Sequence, residues 1–351
     1  MATSPNRRFR TRALALGVAA LGLVAAGTVA GAVCAGERDG VRTPHRDDRG
    51  VMLVFAASDG AGDACMKADN AGCDLYLARY DLDAREVRSV ERLTDTPGEA
   101  EWFPAVDPTG SFVLYESRVD RRGQITLLDL DHDTAEVLFP GRYPDFDHQG
   151  ERFAYSTRQR ALVVVPYGVD RSGLQPGAPQ EVGAGRDPQF LPDGETLIFH
   201  YQPRGETTRT ALQGLPGGLP VDFSDADRCA HASVSPDGTV GTCGVGGSVR
   251  ARRFEDGEWG VLDSLAVPRR PPEYGPRFED CRRVSYGYAE FCGDGEHLVV
   301  TAHCGVDGEP TFANLLLIDL TTGEIIDLHD QLEQARGVSG THSATVSCRA
   351  P

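Results

Sequence analysis

A strand-turn-strand unit recurs along this chain, and its spacing restricts the possible folds more than any other feature. In residues 101–117 an alternating run ends in Val106, meets the turn Asp107-Pro108-Thr109-Gly110 and resumes in Val113 and Tyr115. Asp and Pro at the front of such a turn preset φ and cap the backbone, while Gly at its end accepts the left-handed conformation. The unit is echoed at Asp147-His148-Gln149-Gly150, Leu191-Pro192-Asp193-Gly194, Ser235-Pro236-Asp237-Gly238 and Cys292-Gly293-Asp294-Gly295, and at the front by Asp47-Asp48-Arg49-Gly50. Four residues before the final Gly stand Val106, Phe146, Phe190, Val234 and Phe291; six before stand Pro104, Pro144, Pro188, Ala232 and Ala289. Three and five residues after it the positions are again mostly apolar, as in Leu53 and Phe55 or Leu197 and Phe199. Agreement at period two on both sides of a turn predicts pairs of half-buried strands.

Consecutive turn glycines are 60, 40, 44, 44 and 57 residues apart (50, 110, 150, 194, 238 and 295). Spacings near 40–45 match one four-stranded propeller blade, and the longer two leave room for insertions. The first copy lacks an apolar strand before Gly50. Residues 341–348 resemble 230–236, and with Ala350 taken as the turn position Val346 falls on the apolar site and Ala344 on the small one. A C-terminal strand completing the N-terminal blade would close the ring and remove free edges. The expected fold is therefore all-β, a six-bladed β-propeller of four-stranded antiparallel blades over residues 50–351.

The run Pro188-Gln189-Phe190-Leu191-Pro192-Asp193-Gly194-Glu195-Thr196-Leu197-Ile198-Phe199, with Cys73-Asp74-Leu75-Tyr76-Leu77, resembles the repeats of TolB-like six-bladed propellers of bacterial envelopes. The resemblance covers about residues 50–351 and implies a fold more than a role. No counterpart of the separate N-terminal α/β domain of TolB itself is expected, since only about fifteen polar residues separate Cys34 from the first blade.

Residues 1–34 read as an export signal: Arg7, Arg8, Arg10 and Arg12 precede an uncharged run over 13–35. Three fates are open. Ala30-Gly31-Ala32 suits cleavage, Cys34 stands where a bacterial lipoprotein carries its lipid, and the run is long enough to span a bilayer uncleaved. Cleavage or lipidation is preferred, and each fate exports the rest to the periplasm or cell surface. Residues 35–49 form a polar tether.

The chain has 351 residues and a formal net charge of −17. Without the four leader arginines the charge is −17 − 4 = −21. A surface this acidic repels phosphate backbones and anionic headgroups, which excludes nucleic acid and leaves membrane contact to the N-terminal segment. Of nine cysteines, eight follow Cys34 with no CxxC pair, a pattern of disulfides in an oxidising compartment. The expected pairs are Cys65 with Cys73, Cys229 with Cys243, Cys281 with Cys292 and Cys304 with Cys348. The loop 57–72 and its flank gather Asp59, Asp63, Asp69, Asn70 and Asp74, oxygen ligands of the kind calcium uses, but without EF-hand spacing.

Propellers bind at the ends of their channel, where inner strands begin. The residues seven to nine before the turn glycines give the candidates Glu101, Trp102, Phe103, Arg142, Tyr143, Arg186, Asp187, His231 and Tyr288, joined by His342 from the closing strand. His231 and His342 could hold a metal, although no third ligand of fixed spacing accompanies them, and no metal or cofactor is expected. No GxSxG elbow, HExxH, P-loop or GxGxxG motif is present. The carboxylates Glu101, Asp145, Asp187 and Glu290 would serve a propeller glycosidase or lyase. The leading expectation is a monomeric, non-catalytic, envelope-associated propeller that binds a protein, peptide or glycan; the alternatives are that hydrolase or lyase and a purely structural scaffold. A channel plugged by Phe103, Tyr143 and Tyr288 favours binding, and an open channel with convergent carboxylates favours catalysis.

Intact mass of the mature protein separates the export routes: cleavage shortens the product, and lipid on Cys34 adds a large further increment. A full-length mass would reject both.

Overall fold

The computed structural model describes residues 50–58, 73–96, 98–119, 122–202, 208–223, 230–245, 248–255, 258–262, 281, 283–306, 309–336 and 342–349. The leader with Cys34, the tether, most of the 57–72 loop with Cys65, and Cys229 lie outside the described residues. Six antiparallel sheets follow one another along the sequence as the blades of a six-bladed propeller.

Blade 2 shows the plan: Ala100–Val106 is innermost, followed outward by Phe112–Val119, Arg122–Asp129 and Thr134–Pro140. Blades 4, 5 and 6 repeat it, beginning with inner strands Arg186–Phe190, Ala230–Val234 and Arg283–Phe291. In blade 3, whose inner strand is Arg142–Phe146, the long strand Ala161–Asp170 pairs with Gln180–Ala184 and also, at its far end, with Gly173–Pro176. Blade 1 takes its inner strand from the other end of the sequence: His342–Arg349 pairs with Gly50–Ala57. The ring is closed as the repeat predicts.

The turns are built as the sequence indicates. Asp107 accepts the backbone N–H groups of Thr109 and Phe112 at 3.0 and 2.7 Å, and Gly110 has φ +76°. In blade 4 the capping Asp moves two places along, where Asp193 accepts from Glu195 and Thr196 at 2.8 and 2.9 Å. Either placement satisfies amide groups that the reversal leaves without ladder partners.

The closing strand sits two residues from the register expected above. Cys348, not Val346, pairs with Leu53, in the place held elsewhere by Val106 opposite Val113 and Phe146 opposite Phe153. A shift of two keeps every side chain on the same face, so a period-two pattern does not distinguish the registers. Cys348, fully buried there, bonds Cys292, which follows the inner strand of blade 6. This overturns the expected pairs Cys281–Cys292 and Cys304–Cys348. Cys73, Cys243 and Cys281 are also disulfide-bonded, and Cys281 therefore has a partner other than Cys292.

The inner hairpins are buried on both faces, where the sequence pattern suggested one. Leu53 and Phe55 pack with Leu315 and Leu317 of blade 6, while Met52 and Val54 pack with Val106 and Val113 of blade 2. Leu114 then faces Phe146 and Phe153 of blade 3, and Ala154 faces Phe190 and Leu197 of blade 4. The core is thus a set of apolar layers between neighbouring blades, each sheet exposing alternate residues to alternate neighbours.

Replacing Cys292 and Cys348 together by Ser should lower unfolding free energy in urea by roughly 2–4 kcal/mol, because the bridge closes a long loop and clamps the ring's seam. An unchanged denaturation midpoint would show that the seam holds without it.

Candidate functional site

Each inner strand from blade 2 to blade 5 carries a bulge near its start, and the bulges aim one side chain per blade into the channel. Pairing skips between Trp102 and Ala105, Arg142 and Asp145, Arg186 and Gln189, and Ala230 and Ser233. At the skip stand Phe103, Tyr143, Asp187 and His231, all non-glycine residues with φ between +52° and +55°. The left-handed region costs an L-residue about 1–2 kcal/mol, so four such residues at one repeat position mark a constraint that the surrounding packing must hold. Pro104, Pro144 and Pro188 follow, tolerated because the inner strand is an edge with amide positions facing the channel.

These side chains form a plug. Phe103 meets Tyr143 edge-on at 4.4 Å between ring centroids and Tyr288 at 5.5 Å, and Tyr288 packs on the His231 imidazole at 3.8 Å. All of them line one pocket, together with Asp187, Asp145, Gln189, Glu290 and Ser347. Its volume is about 40 Å³, against ~10–15 Å³ for one water. Burial raises Tyr143 and raises Tyr288 far above the ordinary phenol range, so both stay protonated hydrogen-bond donors.

Asp187, His200 and His231 place three potential ligand atoms within 4.8 Å of one another. The hydrogen bonds assign their roles differently. The His231 backbone N–H donates to His200 Nε2 at 2.6 Å, so the His200 proton lies on Nδ1 and that nitrogen has no lone pair for a metal. Burial pushes His200 down to about 4, so it is neutral. His231 Nδ1–H donates to Asp187 Oδ2 at 2.9 Å, which leaves His231 Nε2 as the ring's acceptor. Burial pushes the Asp187 carboxyl up, but the His231 hydrogen bond and neighbouring positive charge outweigh it and hold it below the usual range. His231 therefore works with Asp187 and His200; the strand backbone at His342 lies opposite Ala57, and its side chain is outside the described residues.

Around the plug lies a basic rim. Arg118 Nε donates to the buried Glu116 at 2.6 Å, Arg142 Nε approaches the same carboxylate at 3.5 Å, and Arg118 lies 5.2 Å from the centre of the Trp102 ring. The Arg186 guanidinium makes no hydrogen bond or ion pair among the described residues, although its charge bears on Tyr143, Asp187, His200 and Tyr288. Gly141 and Gly185 immediately precede Arg142 and Arg186, and a Cβ on either would come within 2.5 Å of the Tyr155 or Phe199 ring. Only glycine lets the strand start that close to the neighbouring hairpin.

Glu101 is placed elsewhere. It is fully buried at the junction of blades 1 and 2, where it accepts from Leu75 N–H at 3.2 Å, from the Thr96 hydroxyl at 2.8 Å and from the Thr94 hydroxyl. Asp145 and Ser347 are also clamps, accepting the backbone N–H of Phe190 and Val106 on the next blade at 2.8 and 3.2 Å. Sequence reasoning missed Glu116 and His200. Both sit on second strands opposite Trp102 and Arg186, a pairing recoverable from the repeat register. The duplicated Gly-Arg-x-Pro at 141–144 and 185–188 is a further signal of the rim.

No protein-family model and no curated protein sequence matches this protein. Among solved structures it is similar to TolB from Acinetobacter baumannii, at 13% identity and TM-score 0.55 over 86% of this chain and 66% of that one. The nidogen/laminin complex gives 11% and 0.52 over 85% and 98%, and the putative TolB from Agrobacterium tumefaciens 14% and 0.50 over 80% and 88%. The chain thus spans about two thirds of the Acinetobacter protein. At these identities the likeness is one of fold: a six-bladed propeller of the TolB-like kind.

Burial pushes Glu101 up to about 7 from an ordinary 4.5. The folded protein then holds more proton than the unfolded one between those values, so this residue makes stability fall as pH rises from about 4.5 to 7. Glu101→Gln should flatten that slope by up to about 3 kcal/mol in urea titrations at pH 5 and pH 8. Identical slopes would show that Glu101 is ionised in the fold.

Proposed function

We propose that this protein is an exported, envelope-associated propeller without catalytic activity, which binds a protein partner across the channel mouth. The plug carries the reading. Phe103, Tyr143, Tyr288 and His231 fill the channel end where a substrate would enter, leaving about 40 Å³. Rigid aromatic groups beside arginines are the composition of protein-binding hot spots. The fold likeness to TolB, and to a propeller seen in a nidogen/laminin complex, is compatible with this role. The acidic protein, at −17, suits a partner whose wider contact surface is basic.

A hydrolase or lyase has one observation in its favour: Asp187 orients His231 as Asp orients His in general-base dyads, with Nε2 left to accept a proton. Against it, Glu101 and Asp145 are occupied as structural acceptors, and Glu290 accepts from Gln189 Nε2 at 3.3 Å.

Cross-linking in the envelope followed by pull-down should return a protein partner with the wild type. Capture should fall at least tenfold with Tyr288→Ala, corresponding to about 1.4 kcal/mol or more for a hot-spot aromatic, provided circular dichroism shows that variant folded. No partner, together with turnover of a glycoside or lactone panel that His231→Ala abolishes, would replace the reading with the enzymatic one.

A further inference from the structure

The pocket at the channel mouth is bounded by two kinds of wall. Phe103, Tyr143 and Tyr288 supply the first, with the Phe103 ring tilted 61° to Tyr143 and 68° to Tyr288. Asp145, Asp187 and Glu290 supply the second. Among the described residues no lysine or arginine lines this space. The rim arginines stand outside it: Arg118 and Arg142 go to Glu116, and Arg186, although its charge bears on Asp187, is not a lining residue. Asp187 is shared with His231, while Asp145 accepts from the Phe190 backbone N–H at 2.8 Å and Glu290 from the Gln189 side-chain amide at 3.3 Å. Those two amide donors are neutral, so they orient the carboxylates without cancelling their charge. Asp145 and Glu290 also border a second cavity, of about 20 Å³, which reaches Ser233 and Phe291. Ring faces attract a cation through their quadrupole and carboxylates attract it by charge, and partial enclosure strengthens both.

Size and lining together select the cation. About 40 Å³ admits a group of roughly three or four heavy atoms by the measure of ~10–15 Å³ per water, which is the head of a lysine or arginine side chain. A calcium-like ion wants about six to eight oxygen ligands and gains nothing from three aromatic walls, whereas an organic cation uses both kinds of wall. We infer that the mouth seats one cationic side chain of the partner, lysine or arginine, between the rings of Phe103, Tyr143 and Tyr288 and the carboxylates of Asp145, Asp187 and Glu290. This deepens the binding function proposed above and rests on it, because it names the chemical group of the partner that the mouth reads. It also agrees with the net charge of −17, whose complement is a basic partner surface.

The test is a ligand-observed nuclear magnetic resonance titration of the full-length protein at low salt. The probes are acetyl-Ala-Lys-Ala-amide, acetyl-Ala-Arg-Ala-amide, the uncharged acetyl-Ala-norleucine-Ala-amide and the anionic acetyl-Ala-Glu-Ala-amide, with calcium chloride as competitor. At least one cationic peptide should bind, about tenfold or more tightly than the norleucine and Glu peptides. Glu290→Gln keeps the shape and an acceptor for Gln189, and should cut that preference about threefold or more. Tyr288→Leu keeps apolar bulk without a ring face, and should weaken the cationic peptides while leaving the norleucine peptide unchanged. Circular dichroism checks that each variant is folded, and the comparison of probes on the wild type stands without them. Equal binding of charged and uncharged peptides, binding of none, a preference for the Glu peptide, exclusion of the peptides by calcium, or a folded variant that binds like the wild type would each overturn the inference. The two proposals fail separately. A partner captured equally well by wild type and Glu290→Gln removes the cation seat and keeps the binding propeller; charge-selective peptide binding with no captured protein does the reverse.

Discussion

Among the described residues, the inner hairpins of blades 1 to 4 are apolar on both faces, and only a neighbouring blade is available to cover each face. Met52 and Val54 need blade 2 just as Leu53 and Phe55 need blade 6. An open row of blades would leave one apolar face bare at each end, and the penalty for exposed apolar area is what closes the ring. The closing strand His342–Arg349 and the Cys292–Cys348 bridge both act at that seam. Polar side chains on the inner strands, Ser347 and Asp145 among them, add hydrogen bonds from one blade to the next. Closure in turn fixes the distances across the channel.

The candidate site is a consequence of that closure. A bulge at the same place in successive blades turns Phe103, Tyr143, Asp187 and His231 inward, and the ring brings residues that are tens of positions apart into ring-to-ring contact. No single blade could hold these side chains in a left-handed conformation, since the compensating contacts come from the blades opposite and adjacent. The same geometry separates two kinds of carboxylate. Asp187 is paired with a histidine at the mouth, whereas Glu101 is a buried clamp between blades.

Much of this is legible in the residues, and the failures have definite causes. Turn glycines at 110, 150, 194, 238 and 295 reveal the blades, because a tight reversal needs a residue that tolerates positive φ. The aromatic plug is reachable too, since Phe103, Tyr143 and Tyr288 share one repeat position. The place of Cys348 is not, because a two-residue slip preserves the pattern of faces, and the disulfide pairing is lost with it. Glu101 stands next to Trp102 and Phe103 in sequence and so suggests a channel residue, yet the bulge at Phe103 turns that side chain into the channel while Glu101, in regular pairing before it, faces the junction of blades 1 and 2.

Local sequence determined what local physics controls: where strands reverse, which positions are apolar, and how many blades there are. Only the tertiary structure decided which cysteine meets Cys348, that His200 supports Asp187 and His231, and that the Arg186 side chain has no hydrogen-bond or ion-pair partner among the described residues. Turn chemistry acts over about four residues, whereas these pairings join strands that meet only after the ring has closed.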